Sequence, residues 1–152
     1  MSNYPLATST WDDKELQAIQ SVIDRDIYSM GDSVAQFEQD FSKFINRKYS
    51  VMVSSGSAAN LIATAALFYT KNPMLERGDE VIVPAVSWST TYFPLQQYGL
   101  RLKFVDIDLD TLNYDLKALE SAITNDTKMI MVVNLLGNPN DFDVINSFIK
   151  DK

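Results

Sequence analysis

Two short segments of the sequence carry residue types that could hold a planar, phosphorylated molecule. In the first, Ser55-Gly56-Ser57 separates a β-branched run from good helix formers at positions 61–68. Unpaired N–H groups and the helix dipole favour an anion there, Gly56 allows close backbone approach, and the Ser57 hydroxyl can donate a hydrogen bond. A monophosphate fits this turn, although Ser55 or Ser57 as a simple N-cap and Gly56 as a turn residue explain it equally well.

The second segment, Pro84 to Thr91, places Trp88 directly after another β-rich run. An aromatic face beside an anion site suits a planar phosphorylated cofactor, because stacking supplies contact area while the phosphate fixes position. Taken alone, Trp88 favours a core or interface role. We therefore base the prediction of a cofactor site on the two segments together.

Other polar residues at predicted strand ends favour turns over ligands. Asp106, Asp108 and Asp110 alternate as in the start of a calcium loop, but the glycine and distal glutamate of that loop are missing, so no metal site is predicted. Asn134 and Asn138 flank a segment rich in turn residues, and the turn interpretation is favoured over a pocket-lining role.

Composition narrows the possible functions. The chain has 152 residues, 46% of them hydrophobic, with a net charge of −7 and with neither cysteine nor histidine. Its charge predicts no nucleic-acid or membrane partner, and no run approaches the roughly 20 apolar residues of a membrane span. We expect a cytoplasmic globular protein that borrows its reactive group from a cofactor.

The elements that must position these segments follow from periodicity. A capped amphipathic helix is predicted from about Asp12 to Arg25, and Phe37, Phe41, Phe44 and Ile45 repeat the pattern. Four apolar runs, each followed by a helical stretch, then predict strands of a mainly parallel α/β sheet: 51–53, 81–83, 102–107 and 129–133. Ligands in such folds bind beyond the carboxyl ends of strands.

Several motifs together resemble the DegT/DnrJ/EryC1/StrS family of sugar aminotransferases and dehydratases, which are PLP enzymes of fold type I. They are Tyr4-Pro5-Leu6-Ala7, Ser9-Thr10-Trp11-Asp12-Asp13, Met52-Val53-Ser54-Ser55-Gly56-Ser57, Pro84 to Thr91 with Leu95 to Leu100, and Val133 to Pro139. The resemblance implies pyridoxal 5′-phosphate, or pyridoxamine 5′-phosphate, with Gly56 and Ser57 on the phosphate and Trp88 stacked on the pyridine ring. It also implies glutamate as amino donor and a nucleotide-linked 4-keto-6-deoxy sugar as substrate.

The resemblance also implies which reaction is expected. Family dehydratases remove the C3 hydroxyl of such a sugar on the way to O-antigen dideoxysugars, and a histidine replaces the Schiff-base lysine of the aminotransferases. That base is expected beyond Lys152, so no catalytic residue is assigned in this chain, and neither Lys103 nor Lys128 is assigned as a Schiff-base residue. A nucleotide-sugar aminotransferase and a catalytically inert, truncated α/β domain stay open as alternatives.

The same resemblance predicts the domain organisation. Residues 1–49 form an N-terminal helical segment, and residues 50–152 form the first part of the PLP-binding α/β domain, whose remaining part lies outside this chain. Full-length family members are expected to be homodimers.

Overall fold

The computed structural model of the protein describes residues 7–150, so Tyr4 to Leu6 of the first motif lie outside the described residues. Two compact units divide the chain, one up to Met52 and the other from Val53 onward. The elements are α1 (Asp13–Arg25), α2 (Asp32–Phe44), α3 (Gly56–Tyr69), β1 (Glu80–Pro84), α4 (Ser89–Gln97), β2 (Arg101–Val105), α5 (Leu116–Ala122), β3 (Thr127–Ile130), a 3₁₀ turn (Leu135–Gly137) and α6 (Phe142–Ile149). Among these helices none is long and apolar enough to cross a membrane.

Helix α1 begins at Asp13 because its N-terminus carries a capping box. The Asp12 carboxylate accepts a hydrogen bond from the Lys14 N–H, and the Glu15 carboxylate accepts one from the Asp12 N–H, each at 2.7 Å. The predicted helix from about Asp12 to Arg25 is therefore confirmed. None of the α1 side chains is buried, and Leu16 is 58% exposed.

Helix α2 shows the predicted phenylalanine repeat as a row of ring contacts. The ring centroids of Phe37 and Phe41 lie 5.7 Å apart in a stacked arrangement, and those of Phe41 and Phe44 lie 6.5 Å apart. Residues four and three apart meet on one side of a helix, as this row does. The helix ends at Phe44, and Ile45 is its C-cap.

The second unit is built on a three-stranded parallel sheet in the order β2-β1-β3. Val81 of the central strand pairs with Leu102 on one side and with Met129 on the other. Parallel strands need long crossovers, and here α4 connects β1 to β2 while α5 lies between β2 and β3. The predicted mainly parallel α/β sheet is confirmed.

Both faces of the sheet are covered. Successive side chains of β1 point to opposite sides of the sheet, and they belong to two different core clusters. Val81 and Val83 pack with Leu75, Leu95 and Leu100 in one core cluster. Ile82 packs in the other with Val105, Tyr114, Leu119, Ile123 and Ile145. The side chains of Val81, Ile82 and Val83 are all fully buried, which explains why these three successive positions of β1 are apolar.

The predicted strand at 51–53 is wrong. These residues form no strand, Val51 is 72% exposed, and the Met52 N–H donates to the Glu38 carboxylate at 2.8 Å. A β-branched run becomes a strand only when a neighbouring strand completes its hydrogen bonds, and none of the described strands pairs with it. Two predicted strands are also too long, since β2 ends at Val105 and β3 ends at Ile130.

Candidate functional site

The first predicted segment lies at the N-terminus of α3. Ser55 is the N-cap in an extended conformation, and its hydroxyl accepts a hydrogen bond from the Ala58 N–H at 3.1 Å. Gly56 and Ser57 are the first two helical residues, whose N–H groups have no acceptor within the helix because no earlier turn precedes them. Both residues are exposed. Ser55 thus acts as a cap and still leaves two N–H donors for an anion.

Space beside Gly56 is open. A Cβ atom added there would meet no heavy atom within 4 Å, so a ligand could approach this part of the backbone. The first turn of α3 contains no acidic residue, so the positive end of its dipole is not offset locally. The N-terminus of α3 therefore has both the donors and the room that a phosphate group needs.

Trp88 lies at the N-terminus of the neighbouring helix. Strand β1 ends at Pro84, and after three further residues Trp88 is the N-cap of α4. Its side chain is 74% exposed, so the core role considered for it is wrong within the described chain. An exposed indole beyond a strand's carboxyl end is free to stack on a flat ring.

The turn that carries Trp88 is held by hydrogen bonds between residues that precede and follow it in the sequence. The Ser87 and Thr91 hydroxyls lie 2.9 Å apart, the Thr91 N–H donates to the Trp88 carbonyl at 2.9 Å, and the Tyr92 hydroxyl donates to the Pro84 carbonyl at 2.8 Å. Burial raises the pKa of Tyr92, although a hydrogen bond with Ser87 acts in the opposite direction. Tyr92 therefore stays a donor at neutral pH.

A hydrogen bond joins the two helices near their N-termini. The Asn60 side-chain amide on α3 donates to the Thr90 carbonyl on α4 at 3.2 Å. A shallow cavity of about 210 Å³ lies between the two helices, and Ser57 and Thr90 both line it. The structure thus places the Gly56-Ser57 donors and the Trp88 ring on adjoining helix ends.

The carboxylates after β2 form a turn. Asp108 Oδ1 accepts from the Asp110 N–H at 2.9 Å, from the Thr111 N–H at 2.9 Å and from the Thr111 hydroxyl at 3.2 Å. These bonds lower the pKa of Asp108, and the hydrogen bond from the Thr111 backbone N–H has the largest effect. Asp106 accepts from the Ile107 N–H at 2.8 Å. The predicted turn interpretation is confirmed for this segment.

The amides after β3 also connect loops. Asn134 Oδ1 accepts from the Asn140 side chain at 3.1 Å, and the Asn138 side chain donates to the Thr111 carbonyl at 2.7 Å. Both bonds lie within the second unit, where they tie the β3 loop to itself and to the β2 loop. The turn interpretation is again the one that the structure supports.

Neither strand lysine resembles a reactive amine. Lys103 Nζ donates to the Ala122 carbonyl at 2.7 Å and lies 3.6 Å from a Glu80 carboxylate oxygen. Lys128 is exposed. The side chain of Asn60 belongs to no motif in the sequence, and the one signal for its role is Pro94, which lacks the N–H that would otherwise pair with the carbonyl of Thr90, four residues earlier.

The parallel sheet, with two helix N-termini beyond the end of its central strand, defines an α/β protein of the class that binds ligands at strand ends. A family model described as the DegT/DnrJ/EryC1/StrS aminotransferase family matches residues 9–152. The chain belongs to this family.

Individual relatives are similar over much or all of the chain. A GDP-4-keto-6-deoxy-D-mannose 3-dehydratase of Yersinia pseudotuberculosis is 66% identical over 152 residues, which are 100% of this chain and 39% of the relative. A dTDP-4-dehydro-2,6-dideoxy-D-glucose 3-dehydratase of Saccharopolyspora spinosa is 38% identical over 80% of this chain and 27% of its own length.

A solved structure of a GDP-4-keto-6-deoxymannose-3-dehydratase "with a trapped PLP-glutamate geminal diamine" is also similar. It superposes with a TM-score of 0.96 at 63% identity, covering 99% of this chain and 39% of that chain. The chain therefore spans about two fifths of the length of these two GDP-sugar dehydratases.

Proposed function

We propose that the chain supplies the phosphate-binding and ring-stacking part of a PLP-dependent enzyme that removes the C3 hydroxyl of GDP-4-keto-6-deoxy-D-mannose. The observation that carries this proposal is the 66% identity over the whole chain to a dehydratase of that name. A second dehydratase at 38% identity supports elimination over amino transfer as the outcome. The reaction belongs to O-antigen dideoxysugar synthesis in this proposal.

The residues of the second unit fit a phosphorylated pyridine. The free N–H groups of Gly56 and Ser57, together with the Ser57 hydroxyl, bind the phosphate at the positive end of α3. The exposed Trp88 ring on α4 stacks on the pyridine face and orients it. Bound there, the cofactor supplies an electron sink for carbon atoms attached through its amino group.

Each part of this arrangement has a distinct physical task. The phosphate contacts fix one end of the cofactor, and the main motion that then remains is rotation of the pyridine ring about the bound phosphate. Trp88 removes it through a flat contact that requires no charge. Ser87, Thr91 and Tyr92 keep the Trp88 turn in place through the hydrogen bonds described above. Glutamate as amino donor and a homodimeric assembly complete the proposal.

A chimera tests the proposed reaction. Residues 1–152 replace the matching segment of the Yersinia relative, whose remaining sequence stays native, and the product is followed by mass spectrometry with PLP and glutamate present. We expect loss of the C3 hydroxyl from GDP-4-keto-6-deoxy-D-mannose with kcat/KM within about tenfold of the native relative, since two thirds of the exchanged residues are identical.

Two matched variants make this result specific to the site. Trp88→Ala should lower the chimera's activity strongly, whereas Tyr69→Ala, at a side chain that is similarly exposed (76% against 74%), should leave it near that of the parent chimera. A folded chimera that binds neither cofactor nor substrate would refute the proposal. An equal effect of both variants would refute the role of Trp88.

A further inference from the structure

Helix α4 has a gap in its hydrogen bonds near its N-terminus. In a regular helix the Thr90 carbonyl would accept from the N–H of residue 94, but residue 94 is a proline, which has no N–H. A carbonyl left without a donor is costly when it is shielded from water. Thr90 is only partly exposed, and Pro94 is buried.

The missing donor comes from the neighbouring helix. Asn60 Nδ2 donates to the Thr90 carbonyl at 3.2 Å, and Asn60 is itself partly buried. The backbone carbonyl of Asn60 accepts a hydrogen bond from the Thr64 hydroxyl at 2.8 Å, and Thr64 is 2% exposed. The bond to Thr90 therefore starts from a residue whose backbone lies within the first turns of α3 and is bonded to a buried side chain.

This bond lies between the two parts of the candidate cofactor site. Asn60 follows Ser57 by three residues, which is less than one helical turn, and Thr90 follows Trp88 by two. We infer that Asn60 is a positioning residue whose amide, drawn to the carbonyl that Pro94 leaves free, sets the spacing between the Gly56-Ser57 donors and the Trp88 ring.

The inference rests on the proposed function and explains why a helix at the site contains a proline. An N–H at position 94 would satisfy the Thr90 carbonyl within α4, and that carbonyl would then need no donor from α3. With Pro94, the carbonyl takes its protein donor from the Asn60 amide, which spans the separation between the two helix N-termini. Pro94 thus makes the hydrogen bonding of the Thr90 carbonyl in α4 depend on the placement of α3.

Calorimetric titration with pyridoxamine 5′-phosphate tests this role, because this form of the cofactor cannot form imines with surface lysines. Asn60→Leu keeps the size of the side chain and removes the donor. We expect about tenfold weaker binding than in the parent chain, which corresponds to loss of one well-placed hydrogen bond at the site. The same change at the exposed Asn146 of α6 is the control and should leave binding unchanged.

A second pair of variants separates positioning from mere helix stability. Pro94→Ala restores an N–H for the Thr90 carbonyl, so this variant should keep the hydrogen-exchange protection of α4 and yet weaken binding about tenfold, and adding Asn60→Leu to it should change binding little further. Because α4 is complete in both chains, the comparison also holds if Asn60→Leu alone fails to fold.

The possible outcomes are distinguishable. Binding that recovers fully in the double variant would overturn the inference, since Asn60 would then only satisfy a carbonyl. Equal binding by the parent and Asn60→Leu would overturn it as well. No binding by the parent chain would instead refute the cofactor site of the proposed function, and the positioning role with it.

Discussion

Replacing Tyr114 with phenylalanine removes one hydroxyl from the centre of the sheet. Tyr114 is 3% exposed, and its hydroxyl lies 2.8 Å from the Met131 carbonyl and 3.4 Å from the Ile82 carbonyl. A hydroxyl donates one hydrogen, so the shorter contact is its principal bond. Because the ring and its apolar burial are retained, the change isolates the cost of leaving the partly buried Met131 carbonyl without this donor, about 1–2 kcal/mol.

The pKa of Tyr114 gives this variant a characteristic pH dependence. Burial, and to a smaller extent the neighbouring Tyr92, raise the pKa of Tyr114 above its ordinary value. The native state therefore favours the protonated phenol, whose contribution to stability is complete below about pH 10 and is lost as pH rises towards the folded-state pKa. The stability difference between parent and Tyr114→Phe should consequently be largest near pH 7 and should shrink above pH 10.

Hydrogen exchange of the β1 and β3 amides measures this stability difference locally near pH 7. Urea unfolding measures the same difference at higher pH, including values above 10. Tyr69→Phe, at a side chain that is 76% exposed, is the matched control and should change the free energy of opening by less than about 0.5 kcal/mol. A parent–variant difference that stays constant from pH 7 to pH 11 would refute the linkage argument. A difference near zero at pH 7 would refute the hydrogen-bond argument.

Two further changes probe the turn after β2 and the sheet's second face. Hydrogen bonds lower the pKa of Asp108, so its contribution to stability is present above the ordinary aspartate pKa and is lost as pH falls through the folded-state pKa. Asp108→Ala should therefore reduce the loss of stability that urea unfolding measures below pH 4. An unfolding free energy that falls equally below pH 4 in parent and variant would contradict this. Leu119→Ala should cost about 2–5 kcal/mol in urea unfolding because Leu119 is fully buried, whereas Leu109→Ala, at 84% exposure, should cost less than about 0.5; equal losses would contradict the assigned core.

The sequence predicts local features of this chain better than pairings between distant segments. The α1 pattern contains its own start signal, since Asp12 and Glu15 cap each other three residues apart. The run at 51–53 has the composition of a strand, but strand formation depends on a partner that no local pattern specifies. The described part of the chain places no strand beside it.

In the candidate site, too, the sequence predicts the local features but not the contact between distant residues. A short anion-binding turn and an aromatic after a strand are local features, and their placement at two helix N-termini follows from alternating strands and helices. The contact between Asn60 and Thr90 joins residues thirty positions apart, so periodicity does not predict it. Only the donor missing at Pro94 indicates, from sequence alone, that Thr90 needs an external partner.

The central claim is that Gly56, Ser57 and Trp88 bind a pyridoxal-type cofactor, and calorimetric titration of the 152-residue chain with pyridoxamine 5′-phosphate tests it most directly. We expect saturable one-to-one binding that weakens about tenfold in Ser57→Ala and in Trp88→Ala, as the loss of one hydrogen bond or one stacking contact implies. Tyr69→Ala should bind as the parent does. Absence of saturable binding, or binding that neither Ser57→Ala nor Trp88→Ala changes, would contradict the claim.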